Sequence, residues 1–187
     1  MADGESVPRL VLISGATGVG KTTLAKAVAH EMGLARIASS DTIREVMRAT
    51  ASSSDPALNR SSYGRGEVGD AGTDWEDAAR AVEPGIDAVV ERARQQGVDL
   101  VLEGVHVIPS RRLLSAWETA GGAAVGLVVK IEDEGTHRER IEQREANTWR
   151  GAERYRIGFE RIRSIQRTIE EKGAGAEWKV VDTRLHQ

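Results

Sequence analysis

A glycine-rich octapeptide near the amino terminus carries the clearest chemistry in the sequence. Residues 15–22 read Gly-Ala-Thr-Gly-Val-Gly-Lys-Thr, which satisfies the phosphate-binding pattern G-x-x-x-x-G-K-[ST]. The glycines let backbone N–H groups turn inward around phosphate oxygens, a geometry that side chains would obstruct. Lys21 would neutralise the β and γ phosphates, and Thr22 would ligate magnesium. We therefore predict ATP and Mg2+ as cofactors, bound by Gly15, Ala16, Thr17, Gly18, Val19, Gly20, Lys21, Thr22 and Thr23.

A second candidate is Asp41, which follows two serines at the end of a predicted short strand. Parallel sheets bind ligands at the carboxyl edge, where a carboxylate can accept a proton from an attacking hydroxyl or hold the water shell of a metal. The alternative is a structural role as a helix N-cap, and one residue can serve both purposes. We predict that Asp41 acts in catalysis and acceptor binding, and that Arg44, one helical turn on, binds an acidic acceptor.

Glu103 ends the third predicted strand, at the place where P-loop proteins carry a carboxylate near magnesium. We predict that it organises the metal together with Thr22 and borders the acceptor. Glutamate in place of aspartate leaves direct and water-mediated contact with magnesium both open. A buried acid without a cation beside it is unusual, which disfavours a purely structural role. His106 could bind the acceptor, or it could be an ordinary hydrogen-bonded loop histidine.

Arginine is concentrated late in the chain, with nine arginines in the range 138–167. Like-charge pairs at i, i+4 spacing cost a helix a few tenths of a kcal/mol each unless an anion lies between them. Two such pairs flank a predicted break between helices, where a lid could close over the phosphates of ATP and of an acceptor. We predict catalytic roles for Arg140 and Arg144, and acceptor binding by Arg150 and Arg154.

Short aliphatic runs alternate with longer helical patterns along the chain, which is typical of parallel βαβ units. The stretch 49–72 is rich in Ser, Gly and Asp and has no sustained period, so we predict a mobile acceptor-side loop there. The range 136–156 is the predicted arginine-rich lid. The predicted strands are 9–14, 35–38, 98–102, 124–131 and 178–182, and the predicted helices are 21–32, 42–48, 74–96 (bent or interrupted near Pro84), 110–120, 134–147 and 152–172.

The last predicted helix carries an apolar stripe at helical spacing, which is typical of a helix that faces a core. Arg163 and Arg167 are predicted on its solvent-exposed face, where nearby glutamates partly compensate their charge. The stripe consists of Tyr155, Phe159, Ile162, Ile165 and Ile169.

Length and composition limit the class of protein further. The 187 residues predict a single P-loop domain over 1–187, and a net charge of −3 does not indicate a nucleic-acid partner. The sequence has no cysteine, which excludes disulfides and cysteine-ligated zinc and suits a reducing compartment. No apolar run approaches the roughly 18 residues of a membrane helix. We expect a cytoplasmic protein without a membrane partner; its oligomeric state stays open.

A phosphate-binding loop alone does not distinguish kinases from GTPases, motors or switches. The only asparagines are Asn59 and Asn147, so the guanine signature Asn-Lys-x-Asp cannot exist. The length leaves no room for the helical lid domain of a hexameric ATPase. These exclusions favour a kinase acting on a small molecule, and the arginines described above favour an acidic one. Two alternatives stay open: a kinase for a nucleotide-sugar, antibiotic or polyol, and a non-catalytic ATP-binding switch.

Four stretches of the chain together resemble 2-phosphoglycerate kinase and its relatives. They are residues 10–25, 39–48, 102–109 and 154–166. The resemblance implies an α/β P-loop NTPase fold of the nucleoside-monophosphate-kinase type, with a five-stranded parallel sheet flanked by helices. It also implies ATP-dependent phosphorylation of 2-phosphoglycerate or a similar phosphorylated acid. We expect direct in-line transfer of the γ-phosphoryl group without a covalent enzyme intermediate.

Overall fold

Five parallel strands form the sheet at the centre of the molecule. The structure is a computed structural model and describes residues 7–50, 55–146 and 153–183, without the side chains of residues 145, 146, 153 and 154. The strands are β1 (Arg9–Ser14), β2 (Ile37–Ser39), β3 (Leu100–Glu103), β4 (Ala123–Lys130) and β5 (Lys179–Asp182). The helices are α1 (Lys21–Met32), α2 (Ser40–Thr50), α3 (Pro56–Asn59), α4 (Ala71–Gln95), α5 (Arg112–Thr119), α6 (Glu134–Ala146) and α7 (Glu153–Gly175).

The predicted five-stranded parallel sheet with flanking helices is confirmed. Its strand order is β2-β3-β1-β4-β5, and the predicted element ends that fall on described residues differ from the observed ends by at most three residues. The predicted helix end at 147 and helix start at 152 lie outside the described residues. Strand β1 is central, which explains its unbroken apolar run: Leu10, Leu12 and Ile13 are each at most 1% exposed. In register, Ile13 pairs with Glu103 and Ser14 with Val128. The loops after β1 and β3 therefore leave the sheet side by side, at its carboxyl edge.

Helix α4 runs without a break through Pro84. Of the two predicted outcomes at this proline, interruption is therefore wrong, and a bend stays a prediction. Proline removes one helical hydrogen bond, but the apolar face around it is deeply buried: Val82, Ile86 and Val90 are 0–3% exposed. Packing of that face against the core holds the helix together on both sides of the proline.

The acceptor-side segment contains more regular structure than predicted. Within its described part, residues 55–70, α3 begins after Asp55, whose carboxylate accepts a hydrogen bond from the Ala57 N–H at 2.8 Å. The buried carboxylate of Asp74 accepts from the Gly66 N–H at 2.8 Å and pairs with Arg161 at 2.8 Å. These contacts give the described part of the segment a defined path against α4, and its mobility stays a prediction.

The apolar stripe of α7 is confirmed, because each of its five members is at most 8% exposed. The predicted solvent-exposed position of Arg163 is wrong: this residue is 8% exposed and donates to the Ile131 carbonyl at 2.7 Å and the Glu132 carbonyl at 2.9 Å. Buried carbonyls beyond the end of β4 require donors, and the guanidinium supplies them. None of the helices in the described ranges has the length and apolar character needed to cross a membrane.

Candidate active site

The phosphate loop, residues 15–22, lies at the carboxyl end of β1 and leads directly into α1. Gly18 and Gly20 have φ angles of 85° and 95°, in the left-handed region that favours glycine. Within the described part of the chain, α1 has neither a side-chain N-cap hydrogen bond nor an acidic residue in its first turn. The first N–H groups of a helix have no intrahelical partner and lie at its positive end. This arrangement suits a bound phosphate.

Lys21 turns back over the loop. Its Nζ donates to the Ala16 carbonyl at 2.7 Å. Burial of the ammonium lowers the pKa of Lys21, the carboxylates of Glu103 and Asp41 oppose that shift, and Arg144 adds to it. The same ammonium is therefore close to both predicted carboxylates and to one predicted lid arginine. An incoming phosphate would replace the carbonyl as its partner.

Thr22 and Glu103 form the pair that best fits a magnesium ion. The Thr22 hydroxyl donates to Glu103 Oε1 at 3.0 Å, and Glu103 is only 5% exposed. A hydroxyl and a carboxylate are hard oxygen ligands of the kind that Mg2+ prefers. No group of three or more histidine, aspartate or glutamate side chains in the described ranges could hold a metal by itself.

Asp41 lies in the first turn of α2, with its carboxylate 70% exposed at the cleft. Helix α2 already begins at Ser40, so Asp41 is not the residue that precedes the helix. Its Oδ1 lies 3.4 Å from Nδ1 of His106, and its charge acts on Lys21. The carboxylate is therefore within electrostatic range of the phosphate-loop lysine, and its role in catalysis and acceptor binding stays a prediction.

His106 lies on the buried side of Asp41. It is 1% exposed, and its Nδ1 is 3.2 Å from the Ser40 hydroxyl. Burial lowers its pKa from 6.5 to about 4, although the Asp41 carboxylate raises it. Its Nε2 has no hydrogen-bond partner among the residues that the structure describes. The predicted direct contact with an acceptor does not fit this burial, and the geometry gives His106 a contact with Asp41 instead.

The guanidinium of Arg44 ties α2 to the acceptor-side segment. It donates to the Leu58 carbonyl at 2.9 Å and to the Arg60 carbonyl at 2.6 Å. Burial lowers its pKa, with the neighbouring charge of Glu45 raising it. Arg44 therefore has a structural role that the sequence did not indicate, and acceptor binding by this residue stays a prediction.

Helix α6 brings two predicted lid arginines to a cavity of about 690 Å3 beside the phosphate loop, here called the nucleotide cavity. Arg140 donates to the Thr183 hydroxyl at 2.8 Å, and that hydroxyl donates to the Val19 carbonyl at 2.9 Å. Arg144 lies 5.4 Å from the ring centre of Tyr155. The walls of the cavity include Gly20, Lys21, Thr22, Thr23, Arg140 and Arg144. Arg150 and the side chain of Arg154 lie outside the described residues.

Comparison with known families agrees with this geometry. A family model described as AAA domain matches residues 10–171, which is most of the chain. The chain belongs to the AAA domain family. Residues 10–171 of this AAA domain include the phosphate loop, Asp41, Glu103 and α6.

The AAA domain is also similar to archaeal proteins named 2-phosphoglycerate kinase. That of Methanothermobacter thermautotrophicus is 34% identical over 177 residues, covering 87% of this chain and 56% of the relative. That of Methanopyrus kandleri is 37% identical over 168 residues, covering 84% of this chain and 51% of the relative. The predicted resemblance is confirmed, and the chain spans about half the length of these relatives.

Solved structures support the fold independently. Shikimate kinase from Bacteroides thetaiotaomicron, 16% identical, matches with a TM-score of 0.53 over 95% of this chain and 87% of its own. The shikimate kinase of Acinetobacter baumannii, 14% identical, matches with a TM-score of 0.51 over 95% of this chain and 84% of its own. At such low identity the likeness shows the P-loop fold of the AAA domain alone.

His137 is the contact of the phosphate loop that sequence reasoning missed. It lies on α6, is 0% exposed, and its Nε2 is 2.8 Å from the Thr17 carbonyl. The two residues are 120 positions apart, so no spacing rule connects them. A lone histidine in a charged helical stretch gives no sequence signal of burial.

The buried His137 should make the AAA domain sensitive to mild acid. Burial lowers its pKa from 6.5 to about 4, the bond to Thr17 raises it, and the charges of Arg163, Lys21 and Arg140 lower it further. Between pH 6.5 and about pH 4, the imidazole of His137 carries a proton in the unfolded chain but not in the folded chain. The free energy of unfolding should therefore fall as the pH drops through this interval, by up to about 3 kcal/mol from this group.

Urea unfolding at a series of pH values across the interval measures this effect. The free energy of unfolding of the His137→Gln variant should fall less steeply on acidification than that of the wild type, because glutamine does not titrate. His30→Gln, at a side chain that is 86% exposed, is the control for introducing a glutamine elsewhere. The same slope in the wild type and in His137→Gln would contradict the assignment.

Proposed function

We propose that this chain is the catalytic P-loop domain of an ATP- and magnesium-dependent kinase that phosphorylates a small phosphorylated acid such as 2-phosphoglycerate. The observation that carries the proposal is the meeting of three groups around Lys21 and Thr22, which line the nucleotide cavity. The amino end of α1 offers uncapped N–H groups, Thr22 is bonded to Glu103 at 3.0 Å, and the charge of Asp41 acts on the ammonium of Lys21. Phosphate, metal and acceptor each have a candidate partner within this arrangement.

Phosphoryl transfer requires positioning and charge neutralisation more than covalent chemistry by the protein. The loop amides and Lys21 would hold the donor phosphates of ATP. Magnesium, seated at Thr22 and Glu103, would supply positive charge at the phosphate oxygens. Asp41 would orient the acceptor hydroxyl and accept its proton as the oxygen attacks phosphorus in line with the departing ADP.

Arginines from α6 would stabilise the charge that spreads over the transferred group. A guanidinium has five N–H donors, and the Thr183 contacts of Arg140 use two of its nitrogens, at 2.8 and 3.1 Å. Arg144 lines the same cavity. Arg150 and Arg154 are proposed to bind the acceptor from the remainder of the lid.

The charge of the site favours an acidic acceptor over a nucleoside monophosphate. Base binding would need an open aromatic surface, and the acceptor-side segment supplies only Tyr63. The Tyr63 ring is packed against Tyr155, with ring centres 5.2 Å apart. Arginine side chains, by contrast, suit the carboxylate and phosphate of a three-carbon acid.

We expect 2-phosphoglycerate to be converted with a higher kcat/KM than AMP, CMP or neutral sugars at saturating Mg-ATP. The measurement is ADP release with a panel that also includes 3-phosphoglycerate. A nucleotide or sugar preferred by about tenfold, equal to 1.4 kcal/mol of transition-state stabilisation, would overturn the acceptor class and leave the kinase intact. ATP binding without acceptor-dependent ADP release across the panel would instead indicate a non-catalytic switch.

A further inference from the structure

We propose that His137 is a positioning residue for phosphoryl transfer, which holds the phosphate loop in its anion-binding shape from the lid helix α6. The inference rests on the proposed function, because it concerns how the same loop receives phosphate. Its basis is the contact of Nε2 with the Thr17 carbonyl at 2.8 Å. Thr17 lies within the glycine-rich turn, so the imidazole acts directly on the loop backbone.

The surroundings of His137 determine which ring nitrogen carries the proton. Nδ1 lies 3.4 Å from Nη1 of Arg163, and a guanidinium can only donate. Nδ1 must therefore accept, and the proton of the neutral ring lies on Nε2, where it donates to the Thr17 carbonyl. Burial lowers the pKa of His137 to about 4, so this neutral form persists at physiological pH.

Arg163 in turn fixes the position of the ring. Its guanidinium is bound to the carbonyls of Ile131 and Glu132 at 2.7 and 2.9 Å, immediately after β4. The ring of Phe159 packs edge-on against the imidazole, with centres 5.5 Å apart. His137 therefore connects the rigid end of the sheet and the core of α7 to the phosphate loop.

Holding the Thr17 carbonyl has a consequence for the next amide. The peptide unit is planar, so the direction of the carbonyl also sets the direction of the Gly18 N–H. Ile141, one turn further along α6, packs so closely that a Cβ built at Gly18 would lie 2.4 Å from its Cγ1. Helix α6 thus contacts this peptide from both sides, through His137 at the Thr17 carbonyl and Ile141 at Gly18.

The test compares phosphate binding in variants that remove or retain the donor. His137→Phe keeps a planar ring without the N–H, whereas His137→Gln places an amide nitrogen near the same position. We expect His137→Phe to weaken binding of magnesium tripolyphosphate and Mg-ATP by about 3- to 10-fold, the effect of one lost hydrogen bond. Adenosine binding should be unchanged, and His137→Gln should recover most of the phosphate affinity. Isothermal titration calorimetry gives all three affinities.

A matched control separates positioning from a general loss of stability. Trp178→Phe also removes a buried N–H donor to a backbone carbonyl, that of Ser110 at 3.1 Å, but at the amino end of β5. It should lower the melting temperature and leave tripolyphosphate affinity as in the wild type. Equal tripolyphosphate affinity in the wild type and His137→Phe would overturn the positioning role alone. A wild type that bound neither tripolyphosphate nor ATP would overturn the proposed function and the positioning role with it.

A measurement on the wild type keeps the inference testable even if His137→Phe does not fold. Nitrogen-15 spectra of the imidazole distinguish the two neutral tautomers. We expect the proton on Nε2 of His137, with scalar coupling across the hydrogen bond to the Thr17 carbonyl. A proton on Nδ1 would overturn the proposal.

Discussion

Lys21→Ala should lower kcat for phosphoryl transfer by about 10²–10³-fold and leave the protein folded, because preorganised charge at the transferred group contributes on this scale. The side chain is half-buried at the start of α1, and its bond in the structure is to the Ala16 carbonyl at 2.7 Å. Alanine is a good helix former. The free energy of unfolding should therefore change by less than about 1 kcal/mol.

The matched control for this prediction is Lys26→Ala, which removes an exposed lysine from the same helix. It should retain wild-type turnover. That result would show that the loss of one positive charge from α1 is not sufficient to lower kcat. Turnover is measured as acceptor-dependent ADP release, and folding by thermal unfolding. Wild-type turnover in Lys21→Ala would exclude the proposed phosphate site.

Asp41→Asn should lower kcat by about 10²–10⁴-fold, the usual contribution of a positioned general base, with little change in the dissociation constant of ATP. The substitution is isosteric and keeps an oxygen that can accept from His106, which lies 3.4 Å away. What it removes is the negative charge and the capacity to accept a proton. The expected result is therefore a selective loss of turnover.

Glu45→Gln is the control on the same helix. Glu45 is 58% exposed and pairs with Arg48 at 2.8 Å, so its neutralisation should cost only the few tenths of a kcal/mol of a surface pair. Calorimetric titration of ATP and initial-rate kinetics separate binding from turnover in both variants. If Asp41→Asn had unchanged turnover and a lowered melting temperature, the carboxylate would have only a structural role, in stabilising the start of α2.

The parts of the fold that sequence reasoning recovers are those encoded locally. One octapeptide with glycines, a lysine and a threonine predicts a loop between β1 and α1. Strand β1 and helix α1 both begin and end where predicted. The position of Glu103 at the end of a strand, where P-loop proteins carry a carboxylate near magnesium, predicts that it acts together with Thr22, and the two side chains are hydrogen-bonded at 3.0 Å. The stripe from Tyr155 to Ile169 was recognised because helical periodicity is itself a local signal.

Contacts between distant segments account for the residues that were misjudged or missed. Arg163 lies next to the stripe residue Ile162, yet charge alone suggested a solvent-exposed position. Its partners are carbonyls more than 30 residues away, whose need for donors arises only once β4 is buried. The same holds for Thr183, whose hydroxyl donates to the Val19 carbonyl 164 positions away. Hydrogen-bond requirements of this kind exist only in the assembled structure.

The packing of Tyr63 against Tyr155 has a consequence for the kinetic order of the reaction. Tyr63 belongs to the acceptor-side segment, Tyr155 to α7, and Arg144 of the nucleotide cavity lies over the Tyr155 ring at 5.4 Å. One aromatic pair therefore connects the acceptor-side segment with the nucleotide cavity, and we propose that a shift caused by either substrate is passed to the other site through it. Thermodynamic linkage requires the effect to be reciprocal: whatever factor ATP applies to acceptor affinity, the acceptor applies to ATP affinity. Direct in-line transfer, as proposed, also requires ATP and the acceptor to be bound together, so double-reciprocal plots should give intersecting rather than parallel lines.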